Sequence, residues 1–246
     1  MKYYKIVNPE GHHGLIYHEG RNTDPLPFNP HGDCEPGGIY FSREDILAFL
    51  DMGTEVYEVQ PVGEVYDNLD SPKKFKSHEV DLKYIGEVNA ETIKMLLYAG
   101  ADVHVGHDAA LKWAAHSDNI EMVKMILDAG ANVHAKEDLA LRIAALSGHI
   151  EIVKMLLAAG ADIHADNDYA LIVSVGLGNK EIIEMLLAAG ADIHANNDYA
   201  LIVSVELGNK EIIEMLLAAG ADIHANNDYA LIVSVELGNK EIIEML

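Results

Sequence analysis

From residue 88 onward, apolar residues fall in clusters spaced i, i+1, i+4 and i+5, parted by short polar stretches and by glycine. Ile182, Ile183, Leu186 and Leu187 form one such cluster, the signature of a helix with one buried face. Asn179 before it is a good N-cap, and Glu181 places negative charge in the first turn, where the helix dipole favours it. Gly190 then supplies the left-handed residue that stops a helix over 180–189. A shorter helix is predicted just upstream, over 169–177, with Asp168 as its N-cap and Gly178 as its stop. One local signal disagrees. Leu171-Ile172-Val173-Ser174-Val175 is rich in β-branched residues and alone reads as a strand.

The phase of the pattern decides between them. Ala-Gly-Ala recurs at residues 99, 129, 159, 189 and 219, always 30 residues apart. Histidine follows in step at His104, His134, His164, His194 and His224. Residues 167–195 and 197–225 differ only at Gly176 against Glu206, as after a recent duplication. In earlier units the ambiguous segment is Leu111-Lys112-Trp113-Ala114-Ala115 and Leu141-Arg142-Ile143-Ala144-Ala145, both good helix formers. One repeat cannot stack on another of different structure, so every unit reads helix, turn, helix, loop.

Residues 146–164, Leu-Ser-Gly-His-Ile-Glu-Ile-Val-Lys-Met-Leu-Leu-Ala-Ala-Gly-Ala-Asp-Ile-His, resemble the second half of an ankyrin repeat. The resemblance implies a mainly α fold: an ankyrin solenoid of helix pairs over 86–246, about five 30-residue units with the last incomplete. The usual ankyrin unit has 33 residues. Here Asn197-Asp198-Tyr199-Ala200-Leu201 replaces the Thr-Pro-Leu-His loop, which predicts a stunted hairpin finger. The 30-residue form resembles the ankyrin proteins of giant amoeba-infecting viruses.

Residues 1–85 differ in character and predict a small α+β module. Gly, Pro, Asn and aromatic residues dominate 9–41. Ser42 with Asp45 resembles a capping box opening a helix over 43–52, closed by Gly53, with strands at 38–41 and 55–59. The string over 20–41 resembles the module that precedes the arrays of those viral proteins, and implies no activity.

Charge narrows the function. With 17 Lys+Arg against 40 Asp+Glu the chain carries −23, which repels phosphate backbones and anionic membranes and draws in basic protein. The same charge also serves solubility. Cys34 is alone, so no intramolecular disulfide can form, as suits a reducing compartment. The N-terminus lacks a signal-peptide core and no apolar run is long enough to span a bilayer, which predicts a soluble cytoplasmic protein. The array ends in an uncapped copy of the internal unit, with Ile242, Ile243 and Leu246 expected to fray and form a sticky edge.

Four groups of residues suggest chemistry. The histidine ladder invites a metal, but neighbouring helices lie about 8–10 Å apart, and zinc needs nitrogens about 2.0–2.1 Å from one centre. Each histidine is therefore read as holding its turn through backbone hydrogen bonds, and no metal or cofactor is expected. Cys34 lies near His31, with His12, His13 and His18 upstream. Its flanks Asp33 and Glu35 raise a thiol's pKa, which points to a structural cysteine in a Gly-Pro turn. Residues 37–42, a helix and a second strand distantly resemble small ADP-ribosyltransferases, with Arg21, Tyr40 and Glu58 as the imagined site. That order of elements is common and establishes no chemistry.

The binding surface is the fourth. In ankyrin stacks the first helices and loop tips line a concave face that binds protein. Leu177, Leu207 and Leu237, beside Gly176, Glu206 and Glu236, point there by that resemblance. They form an apolar stripe for a partner or pack under the neighbouring repeat. Asn197, Asp198 and Tyr199, with Tyr169 and Tyr229, add a polar and aromatic ladder suited to an interface. The chain therefore reads as a non-enzymatic scaffold for a protein partner, of the host by the viral resemblance and basic by charge complementarity. The alternative is a small catalytic N-terminal domain, ADP-ribosyltransferase-like or other, that the array targets.

Overall fold

A computed structural model of the chain describes residues 2–11, 15–29, 38–68 and 72–246. Cys34, His31, Asp33, Glu35, His12 and His13 lie outside the described residues. Two compact units emerge, 1–132 and 133–246, and each is taken by itself.

The first unit opens with strands that leave residues 2–87 richer in sheet than expected. β1 (Tyr3–Val7), β2 (Gly20–Thr23), β4 (Glu55–Val62) and β7 (Glu79–Glu87) form an antiparallel sheet in the order β1-β4-β7-β2. β3 (Ile39–Phe41), β5 (Tyr66–Asn68) and β6 (Lys74–Ser77) form a second, in the order β3-β6-β5. Alternation in β4 and β7 turns Tyr57, Val59, Val80 and Leu82 inward, where they join Val7, Ile39, Phe41 and Phe75 in one core.

The helix expected over 43–52 is a 3-10 helix, Glu44–Met52, and the capping box does not form. Ser42 Oγ instead donates to the Lys73 carbonyl at 2.6 Å, and Asp45 accepts the Lys73 N–H. Both side chains thus tether the loop before β6. Gly53 is no left-handed stop either. Its backbone is extended, and a Cβ there would lie 2.2 Å from the Val7 carbonyl oxygen. A true capping box lies further on. Asn89 accepts from Thr92 N–H, and Thr92 Oγ1 accepts from Asn89 N–H, opening α1 (Ala90–Tyr98).

The repeats follow as helix pairs. In the first unit α2 (Val105–His116) precedes α3 (Ile120–Asp128). In the second, α4 (Ala135–Ser147), α6 (Ala165–Leu177), α8 (Ala195–Glu206) and α10 (Ala225–Glu236) alternate with α5 (Ile150–Ala158), α7 (Lys180–Ala188), α9 (Lys210–Ala218) and α11 (Lys240–Met245). Leu171–Val175 is helical, as phase required and local propensity denied. Asn179 accepts the Ile182 N–H, as a cap should. After α7, Gly190 N–H donates to Leu187 O and Ala191 N–H to Leu186 O, with Gly190 at φ 102. These are the paired bonds of a Schellman stop.

No hairpin finger projects from the described units. The loop instead makes one left-handed turn of three residues, for example Asp166, Asn167 and Asp168 at φ 56, 56 and 55. Left-handed backbone costs an ordinary L-residue about 1–2 kcal/mol, and Asn, Asp and Gly least. Composition follows that cost: Gly106-His107-Asp108, Asp166-Asn167-Asp168, then Asn-Asn-Asp twice. Lys136 and Glu137 are the misfits, at φ 51 and 56. Glu137→Gly is expected to stabilise residues 133–246 by up to about 1 kcal/mol, read as a later urea midpoint. An earlier midpoint would mean that the Glu137 side chain contributes more than its strained backbone costs.

One arrangement was not legible in the sequence. The 3-10 helix packs on α2, with Leu47, Ala48 and Leu50 facing Ala109 and Trp113. Its Glu44 carbonyl accepts the Asp102 N–H at 2.6 Å. In every later repeat that N–H position donates to an aspartate of the preceding first helix. Residues 44–52 thus stand where α1 would have its own first helix. Periodicity begins near residue 86, yet residues 1–132 pack as one unit.

Candidate functional site

The last three repeats offer two surface features, at the start and the end of the first helix. Tyr169, Tyr199 and Tyr229 open α6, α8 and α10 proper, immediately after the left-handed turn, and remain 38%, 43% and 41% exposed. The turn places them there, because right-handed helix starts only at the tyrosine. At the other end Leu177, Leu207 and Leu237 are 55%, 57% and 58% exposed. Of the two readings of these leucines, packing under a neighbour therefore fails. Each is followed by a glycine at positive φ, so the chain turns away before the leucine can be covered.

Asn197 is exposed, but Asp198 is not a surface residue. It is 4% exposed and accepts the Asp222 N–H at 2.7 Å from the next repeat. Its carboxylate also meets His194 Nδ1 at 3.1 Å. The same strut recurs at Asp108, Asp138 and Asp168, each holding the residue 24 positions later. Asp168 correspondingly does not cap its own helix. It ties repeat to repeat.

The imidazoles are held through these carboxylates, while each histidine's backbone carbonyl accepts the N–H of the aspartate four residues on. His164 Nδ1 lies 3.1 Å from Asp168, while its N–H donates to Asp162 at 2.9 Å. His224 meets Asp228 at 2.6 Å, and that hydrogen bond raises its pKa above the ordinary histidine value. Among the described residues no three His, Cys, Asp or Glu gather as a metal site. Asp168→Ala should cost about 1–3 kcal/mol by stranding the Asp192 N–H. Asp168→Asn keeps an acceptor and should cost less, a contrast that urea denaturation measures. Equal losses would show that charge, and not the inter-repeat bond, is what Asp168 supplies.

Three lysines of the second helices are engaged by glutamates. Lys154 reaches Glu181 at 3.6 Å, Lys180 pairs with Glu211, and Lys210 with Glu241. These exposed pairs contribute little stability. On the first helices Arg142 pairs with Asp166 and stacks 5.9 Å from the Tyr169 ring centre. Glu206 and Glu236 stay exposed beside the leucines. The face is thus aromatic, aliphatic and acidic at a fixed period.

The imagined catalytic trio is not assembled. Arg21 on β2 makes a bidentate pair with Asp81, at 2.7 and 3.0 Å, and reaches Glu79 at 3.1 Å. Glu58 on β4 pairs with Lys2 at 2.8 Å. Tyr40 belongs to the other sheet and lines a cleft that neither Arg21 nor Glu58 enters.

Stacked helix pairs with a repeated exposed face define a helical-repeat binding protein. The family model for ankyrin repeats matches in three copies, at residues 84–167, 141–227 and 170–246. The chain belongs to the ankyrin-repeat family. It is also 34% identical over 114 residues to an ankyrin repeat protein of Acanthamoeba polyphaga mimivirus. That match covers 42% of this chain and 37% of the viral protein's length. Proteins of this family generally bind other proteins through their repeats. No described helix is long and apolar enough to cross a membrane.

Proposed function

We propose that the chain is a non-enzymatic recognition scaffold that binds a basic protein segment along the first helices of its repeats. The observation that carries this reading is the exposed ladder of Tyr169, Tyr199 and Tyr229 with Leu177, Leu207 and Leu237. An exposed leucine in three successive units has no packing role to explain it. Tyrosine contributes contact area at low entropic cost and keeps a polar tip for solvent or partner. Residues 133–246 hold 18 acidic against 6 basic residues, which favours lysine- and arginine-rich partners. A reducing, cytoplasmic setting suits the chain's single cysteine. The similarity to a mimivirus protein makes an amoebal host protein the partner of first choice.

The test is affinity capture from amoeba lysate with the full chain and with a Leu177→Ser, Leu207→Ser, Leu237→Ser variant. A partner retained by the first and lost by the second supports the face. Its association should slow as salt rises, because screening shortens the field's reach. Capture that is indifferent to the three leucines would remove this surface from the proposal, and salt-independent association would remove the basic partner.

A further inference from the structure

The strand-rich module holds a cleft walled by Leu15, Tyr17, Leu26, Tyr40, Phe49 and Met52. Lys5, from β1, also lines it. Its ammonium donates to the Tyr40 carbonyl at 2.8 Å and sits 4.5 Å from the Tyr17 ring centre. An ammonium has three donors, so two remain for another acceptor. Asp24 borders the cleft, but it accepts from the Leu26 and Gly38 N–H groups at 2.8 and 2.7 Å. No carboxylate among the described residues offsets the charge of Lys5, and burial pushes its pKa down to about 8.

Two further lysines lie near the cleft, each with partners of its own. Lys74 lines the same cleft, and Lys76 lies 4.6 Å from the Tyr40 ring centre. In a chain of 17 basic and 40 acidic residues, a half-buried cation that meets no carboxylate among the described residues is conspicuous. Buried charges are ordinarily paired, because an unpaired one carries a desolvation penalty. The walls are apolar and aromatic, and the two remaining donors of Lys5 suit an acid group.

We propose that this cleft binds a small aromatic anion, its acid group on Lys5 Nζ and its ring against Tyr17 and the apolar wall. The site is separate from the repeat face and stands or falls without it. Two dyes test it on the full chain: 8-anilinonaphthalene-1-sulfonate and its uncharged relative N-phenyl-1-naphthylamine.

The sulfonate should occupy one saturable site and bind about ten-fold more tightly than the neutral dye, since charge-assisted hydrogen bonds are the strong ones. Lys5→Met should remove that advantage. Lys2→Met should keep it, because Lys2 stands just before the same strand but pairs with Glu58 outside the cleft. Sulfonate binding unchanged in Lys5→Met would overturn the proposal and place the dye elsewhere, the leucine ladder included. So would the absence of a saturable site, which would mean that the chain's own residues fill the cleft. The two-dye comparison on the wild type needs no variant. Equal affinities there would overturn the proposal even if Lys5→Met failed to fold.

Discussion

Leu47→Ala is expected to loosen the first repeats together with the module that carries it. Leu47 is fully buried in the 3-10 helix that lies on α2, and truncation of such a leucine costs about 2–5 kcal/mol. Because Glu44 of the same helix holds the Asp102 N–H, the loss should pass into residues 105–116 and 120–128. A terminal repeat without a cover leaves its apolar face to water. Hydrogen exchange would show α2 and α3 losing protection alongside β1 and β4. If β1 and β4 alone lost protection, residues 44–52 would be part of an independent module and not the missing first helix.

A loss of similar size is expected deep in the second unit. Leu186 is fully buried in α7, so Leu186→Ala should again cost about 2–5 kcal/mol, seen as an earlier urea midpoint. In a stack each repeat leans only on its neighbours, so the weakening should spread to α5 and α9 before α11. A cost under about 1 kcal/mol would mean that the site collapses around the smaller residue and that packing there is looser than full burial implies.

The helix pairs were legible because their signals are local and repeated. Asn179 caps, Gly190 stops and the phase of Leu171–Val175 against alanine-rich earlier units needed no knowledge of distant contacts. Asp198 was misplaced for the opposite reason. Its partner is a backbone N–H 24 residues later, and nothing in its neighbours announces that. The left-handed turn left a trace in the Asn-Asn-Asp triplets, which suit positive φ, but Lys136-Glu137 blurs it. In the module, Ser42 and Asp45 mimic a capping box while serving a loop near Lys73. Sheet order joins strands far apart in sequence, so neither the two sheets nor the cleft around Lys5 could be read from residue spacing. Exposure of the leucines is likewise a tertiary fact. The sequence allowed both fates, and the glycine turn after each helix left them outside.

Hydrogen exchange of the full chain, free and bound to a captured partner, tests most directly whether recognition runs along the first helices. Added protection should fall on residues 166–177, 196–207 and 226–237, repeating every 30 residues, with α7 and α9 unchanged. Protection confined to the second helices, or to residues 2–87, would contradict it.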